Sequence, residues 1–108
     1  MKRIVTIGSI DVEMYASAAC FGLYEDVFHE DFLAQGSNPA PNSVSKMGFI
    51  FAAHAKNSLL DVSKMSKVNY YEWLDQFEPL DVMLAAEEIS ELIAAQSETK
   101  SIPKNEGA

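Results

Sequence analysis

Cys20, His29 and His54 are the residues of this chain whose side chains most readily do chemistry. A cysteine beside a histidine can form a thiolate–imidazolium pair, the nucleophile of acyl-transfer enzymes. Cys20, however, shares a helical stripe with Leu23, Tyr24 and Val27, where a buried, inert thiol is the expected state. His29, Glu30 and Asp31 are all metal-ligating types, but consecutive residues on a helix point in different directions and do not converge on one ion. His54 stands among Ala52, Ala53 and Ala55 and reads as a surface or interface histidine. Glu87, Glu88 and Glu91 can bind calcium weakly, yet the EF-hand loop pattern is missing and a solvated helix face is the plainer reading. Nor is there a G-x-S-x-G elbow or a phosphate-cradling glycine loop. The expectation is a protein that is not an enzyme and has no cofactor or metal.

A chain of 108 residues is long enough to fold as one domain around its own core. Its 48% hydrophobic content is ordinary. Sixteen acidic residues against eight basic ones give a net charge of −8, which argues against nucleic-acid binding, because that affinity rests on Lys and Arg displacing counterions. The same acidity favours solubility and can complement a basic partner. Cys20 is the one cysteine, so no intramolecular disulfide can form, in keeping with a reducing cytosol. Lys2 and Arg3 precede a short apolar run broken by Thr6 and Gly8, which does not make a signal peptide. No segment approaches the ~20 apolar residues of a membrane span.

The elements follow from periodicity. Ile4 to Ile7 are strand formers, Gly8-Ser9 can turn, and Val12, Met14 and Ala16 alternate with Glu13, Tyr15 and Ser17. This predicts an N-terminal β-hairpin, which is marginal alone and must be covered by helices or another chain. Ser17 is a candidate N-cap for a helix to about His29, with Phe21, Phe28 and Phe32 on a second apolar face. So wide an arc marks either the central helix of the domain or a face covered by a partner. The segment 34–42, with Gly36, Pro39 and Pro41, reads as a loop. Asn42 or Ser43 can cap a helix to about Lys56, with Val44, Met47, Gly48, Phe51 and Ala55 inward. Gly48 costs that helix about 1 kcal/mol relative to Ala, which suggests close packing of another backbone there. Leu59, Leu60, Val62 and Met65 can form a short helix within 57–68.

The last third is the most legible. Asn69 can cap a helix, with Glu72 reaching back, and Tyr70, Trp73, Leu74 and Phe77 fall on one face. Pro79 suits the first position of the next helix, Asp81 meets its positive end, and Val82, Ala85, Ala86, Ile89, Leu92 and Ile93 form a buried stripe. The resulting expectation is an α+β, mainly α fold, an N-terminal hairpin followed by a small bundle of about four helices. Residues 1–96 form the single domain and 97–108 a flexible C-terminal tail.

The order of these elements, with several local strings, resembles the tail assembly chaperones of long-tailed bacteriophages. The strings are Val5-Thr6-Ile7-Gly8 through Ala16, Leu23-Tyr24-Glu25-Asp26-Val27-Phe28, Met47 to Lys56, Tyr71-Glu72-Trp73-Leu74-Asp75-Gln76-Phe77, the helix Val82 to Ile93, and Thr99 to Asn105. Together they cover roughly four-fifths of the chain, and their order is more specific than any one of them. The chain departs from the family pattern at its hairpin turn, Gly8-Ser9-Ile10-Asp11 rather than Asp-Gly. It departs again at His29, where a glycine often follows the helix phenylalanine, and in a longer segment 57–69.

The resemblance implies a binding function. A chaperone of this kind coats the long helical tape measure protein and keeps it soluble until tail tube subunits polymerise around it. A longer isoform, made by a programmed ribosomal frameshift, recruits the tube protein. Lys104-Asn105 can be encoded AAA-AAC, and a CCA codon for Pro103 completes the slippery heptamer A-AAA-AAC. The resemblance also implies the bacterial host cytoplasm as location, absence from the mature virion, and homo-oligomers. Helix-in-groove recognition is the natural mode, and Phe21, Tyr24, Phe28, Phe49 and Ile50 are the candidate groove residues. The competing reading is an acidic inhibitor or adaptor that binds a host enzyme, which would array carboxylates like phosphates across one surface.

Overall fold

The computed structural model describes residues 2–35, 40–56 and 66–107, with backbone alone at Pro41 and from 96 onward. Among them, an antiparallel hairpin is followed by four α-helices and a 3-10 turn. Strands β1 (Lys2–Ile7) and β2 (Ile10–Tyr15) pair in the register Val5↔Val12 and Ile7↔Ile10. Only Gly8-Ser9 is left to turn the chain. Gly8 alone of the two takes positive φ, 66°, the pattern of a type II′ turn. Val5, Ile7 and Met14 are buried on one face, while Ile4, Thr6, Asp11 and Glu13 face outward. On that outer face the Thr6 hydroxyl donates to Asp11 at 2.9 Å.

Helix α1 spans Ala19–Phe28. Ser17 does not cap it with its side chain; its carbonyl accepts the Cys20 N–H at 3.0 Å, while its hydroxyl faces His54 Nε2 at 3.2 Å. The helix ends at His29, in the left-handed region at φ 58°, whose N–H reaches the Glu25 carbonyl at 2.7 Å. That is the backbone conformation a C-terminal glycine usually takes, so a histidine there carries a conformational cost. The 3-10 turn Phe32–Gln35 folds back over α1, setting Phe32 against Phe21 at 6.1 Å and Tyr24 at 5.2 Å between ring centroids. The wide apolar arc of α1 is therefore covered by the chain itself.

The central helix is α2 (Pro41–Lys56) rather than α1. Every residue from Ser43 to Ala52 is buried, and α2 packs against β2, α1, α4 and α3 (Lys67–Leu74). Its inward residues include Ser43, Ser45 and Gly48, whose small size allows neighbours close on several sides. Gly48 admits a side chain rather than a backbone: a Cβ there would lie 2.8 Å from Ile89 Cδ1. Ile89 is itself 1% exposed and has little room to yield. Gly48→Ala should therefore lose stability by about 1–3 kcal/mol through overpacking, despite gaining helix propensity. Adding Ile89→Val, which deletes Cδ1, should recover most of the loss in a double-mutant cycle read by urea unfolding. Independent, additive effects would contradict the contact.

Helix α3 starts three residues earlier than Asn69 would place it. Ser66 is the N-cap, at φ −138° and ψ 169°, and its Oγ accepts the Asn69 N–H at 3.1 Å. Asn69 instead returns a side-chain contact, accepting from Ser66 Oγ at 2.9 Å. The helix stops at Leu74, so Phe77 lies in the following turn, bonded through its N–H to the Leu74 carbonyl at 3.0 Å. The short helix expected within 57–68 falls at 57–65 outside the described residues.

Helix α4 runs Pro79–Gly107. Ala85, Ile89 and Leu92 are buried and Val82, Ala86 and Ile93 half-buried, so the stripe lies where periodicity put it. Beyond it the backbone stays helical through the expected tail, with Pro103 withdrawing one donor inside that extension. Glu98, Lys100 and Lys104 are good helix formers, so the helix outlasts its apolar stripe.

Candidate docking groove

The five residues expected to line a client groove are brought together, but as core. Tyr24 and Ile50 are fully buried, Phe28 and Phe49 nearly so, and Phe21 is half-buried against the cluster. Phe28 sits 5.2 Å from Tyr24, 6.4 Å from Phe49 and 5.3 Å from Tyr70 between ring centroids. Phe49 continues the cluster to Trp73 at 5.8 Å. Aromatic pairs at these separations gain beyond area burial alone. Burial here corrects the groove assignment: α1 and α2 pack against each other, and these side chains fill the contact between them.

Among the described residues, open apolar surface lies where α2 meets α3 and α4. A depression of about 450 Å³ between α2 and α4 is lined by Val44, Val82, Met83 and Ala86 with Asn42, Ser45, Glu87 and Ser90. A second, of about 600 Å³, lies between α3 and the start of α4, with Tyr70, Tyr71, Leu74, Phe77 and Val82 in its wall. Asn42, Ser45 and Val82 belong to both, so the two depressions adjoin. In the wall of the second, the Ser45 and Tyr70 hydroxyls share a buried hydrogen bond of 2.7 Å. Burial pushes the Tyr70 phenol up from its ordinary pKa, partly offset by Ser45.

Beside this groove α4 carries a stripe that sequence reasoning passed over. Leu80, Met83 and Leu84 are 62%, 68% and 67% exposed. At 100° per residue they lie opposite Ala85 and Ile89, so α4 has apolar residues on both faces over its first turns. Their i, i+3, i+4 spacing is a signal in the sequence, masked by the stronger apolar stripe opposite them.

Behind the groove, a polar cluster ties α1 to α2. The Tyr24 hydroxyl donates to Glu30 Oε1 at 2.7 Å and Lys46 Nζ to Glu30 Oε2 at 3.0 Å. Lys46 also lies 5.2 Å from the Phe28 ring centroid. These hydrogen bonds, Tyr24 first and Lys46 second, hold the Glu30 carboxyl below its ordinary value. Burial, reinforced by Glu30, pushes the Tyr24 phenol up to about 12. A phenol whose folded pKa is raised supports the fold fully below its unfolded value near 10 and loses that support as pH climbs towards 12. Denaturant midpoints between pH 7 and 12 should fall in this window. The fall should be shallower in Tyr24→Phe, which at neutral pH gives up about 1 kcal/mol for the lost hydrogen bond. Equal alkaline slopes in both proteins would contradict the assignment.

His54, expected at a surface or an interface, is buried within the chain's own fold. It stacks on Tyr15 at 4.5 Å, its Nε2 meets Ser17 Oγ, and its buried Nδ1 has no hydrogen-bond partner among the described residues. Among the described residues, no carboxylate is hydrogen-bonded to its ring. Cys20 lies 3.9 Å from the same Ser17 hydroxyl, and burial raises its thiol, so it is held as the neutral thiol rather than a thiolate. His29 is exposed at the end of α1 and away from this cluster. Among the described residues no group of three His, Cys, Asp or Glu side chains is placed to hold a metal.

Fold and groove together define a small α+β, mainly helical protein with an open apolar groove and a buried aromatic core. No family model matches the chain, and neither a curated protein nor a solved structure does. Among the described residues no helix is long and apolar enough to cross a membrane.

Proposed function

We propose that this chain is a tail assembly chaperone of a long-tailed bacteriophage, binding the tape measure protein and keeping it soluble while the tail tube assembles around it. The observation that carries the reading is the open apolar groove flanked by Leu80, Met83 and Leu84 on a strongly acidic chain. An amphipathic helix laid against such a surface buries its own stripe. Each large side chain so covered contributes about 1.5–3 kcal/mol before ordering costs. Several such contacts, repeated along a long client, hold it and still release it to the tube. The function is binding, not catalysis, and it is exercised in the cytoplasm of the bacterial host, leaving the protein outside the mature virion.

Each strand of the two-stranded sheet has one edge without a strand partner among the described residues, which supports homo-oligomers joined through the hairpin. A longer isoform, produced by frameshifting at Lys104-Asn105, recruits the tail tube protein. The coding sequence tests this part: AAG at Lys104, or a closed −1 frame downstream, removes it. For the main reading, the gene should lie just upstream of an unusually long helical reading frame. The two products, co-expressed, should co-purify in soluble form. Recovery of the long product only in the pellet, with this chain alone in solution, would contradict the reading.

A further inference from the structure

Among the described residues, the charged side chains that line the two depressions are of one sign only. From Val68 to Ala95 the chain has seven acidic residues (Glu72, Asp75, Glu78, Asp81, Glu87, Glu88, Glu91) and no Lys, Arg or His. Asp75 and Glu87 line the two depressions themselves, and no basic side chain does so among the described residues. Of the seven, Glu88 alone has a cation partner among those residues, Arg3 at 3.5 Å. The nearest cations line neither depression: Lys46 is held by Glu30, Lys2 lies by Glu13 at 3.9 Å on the hairpin, and Lys67 is exposed at the start of α3. A second copy docked on this face would set carboxylates against carboxylates. A segment with lysine or arginine beside its apolar residues would instead find a counter-charge at both depressions. Met83, in the wall of the first, adds an adaptable thioether suited to varied apolar partners.

We infer that the groove selects amphipathic helical segments whose apolar stripe is flanked by Lys or Arg, with Asp75 and Glu87 as the selecting charges. The inference rests on the docking reading above and narrows it to a class of client segment. The stripe supplies most of the affinity, and the flanking charges supply the choice among stripes, since exposed ion pairs are individually weak.

The test uses the full chain and two synthetic amphipathic peptides that share one leucine stripe, one with Lys and one with Glu on its flanks. Fluorescence anisotropy at low salt should show the Lys peptide binding about 10-fold tighter, the scale of a few exposed ion pairs acting together. That preference should shrink as ionic strength rises to about 0.15 M, where the Debye length is roughly 8 Å. The double variant Asp75→Lys with Glu87→Lys should erase or invert it. Glu25→Lys with Asp26→Lys makes the same net charge change on exposed α1 residues that line neither depression, and should leave a clear preference. Circular dichroism confirms that both variants fold. Equal binding of the two peptides, or equal loss of preference in both double variants, overturns the charge selection and leaves the docking reading standing. Binding of neither peptide overturns the groove as a helix site, and the docking reading then stands or falls on co-purification with the natural client.

Discussion

Replacing Leu80, Met83 and Leu84 together by Gln should leave the thermal midpoint nearly unchanged and remove most of the affinity for the client. All three are about two-thirds exposed, and surface substitutions of this kind usually shift stability by no more than about 0.5 kcal/mol each. Their helical propensity is also kept, because Gln is close to Leu and Met on that scale. In the complex the same side chains become buried. A loss of roughly 3–6 kcal/mol for the trio is within the range of interface anchors and corresponds to about 10²- to 10⁴-fold in affinity. Isothermal titration against a client fragment, with a melting curve on the same sample, reads both quantities. Unchanged affinity would place the client elsewhere on the molecule.

Phe28→Ser and Phe49→Ser should behave in the opposite way and unfold the protein. Phe28 is 3% and Phe49 6% exposed, and both stack into the aromatic cluster of Tyr24, Tyr70 and Trp73. Truncating a buried Phe to Ala typically costs about 3–5 kcal/mol, and an unpaired buried hydroxyl adds about 1–3 kcal/mol. Against a total stability of about 5–15 kcal/mol for a domain, either change removes most of the margin. Far-UV circular dichroism and urea unfolding should show both variants largely denatured or strongly destabilised at 25 °C. Two well-folded variants that fail only in client binding would instead restore these residues to a binding surface.

The contrast between the two predictions shows where the sequence was legible. Strand alternation in Val5, Ile7, Val12 and Met14, and the 3.6-residue spacing of Val82, Ala85, Ile89 and Leu92, are local patterns that match the folded elements. The cap of α3 was misplaced because Ser66 and Asn69 are both good N-caps, and Glu72 three residues after Asn69 imitates a capping box. Ser66 takes the role through its own bond to the Asn69 N–H. The groove was missed for a tertiary reason. Phe28 and Phe49 look alike whether they face a client or each other, and only the packing of α1 on α2 decides between these. Likewise nothing local distinguishes His54 from a surface histidine until Tyr15 and Ser17 close over it. Exposure of Leu80, Met83 and Leu84 follows from α4 presenting its stronger stripe to α2 and β1, which turns the weaker one outward.

The most direct measurement is light scattering by the proposed client, a tape measure protein encoded just downstream, diluted from denaturant into buffer with and without this protein. Wild-type protein should suppress the scattering in proportion to its concentration and leave the long chain in the supernatant, while the Leu80/Met83/Leu84 triple variant should not. Precipitation that proceeds equally fast in the presence of the folded wild-type protein would contradict the account at its centre.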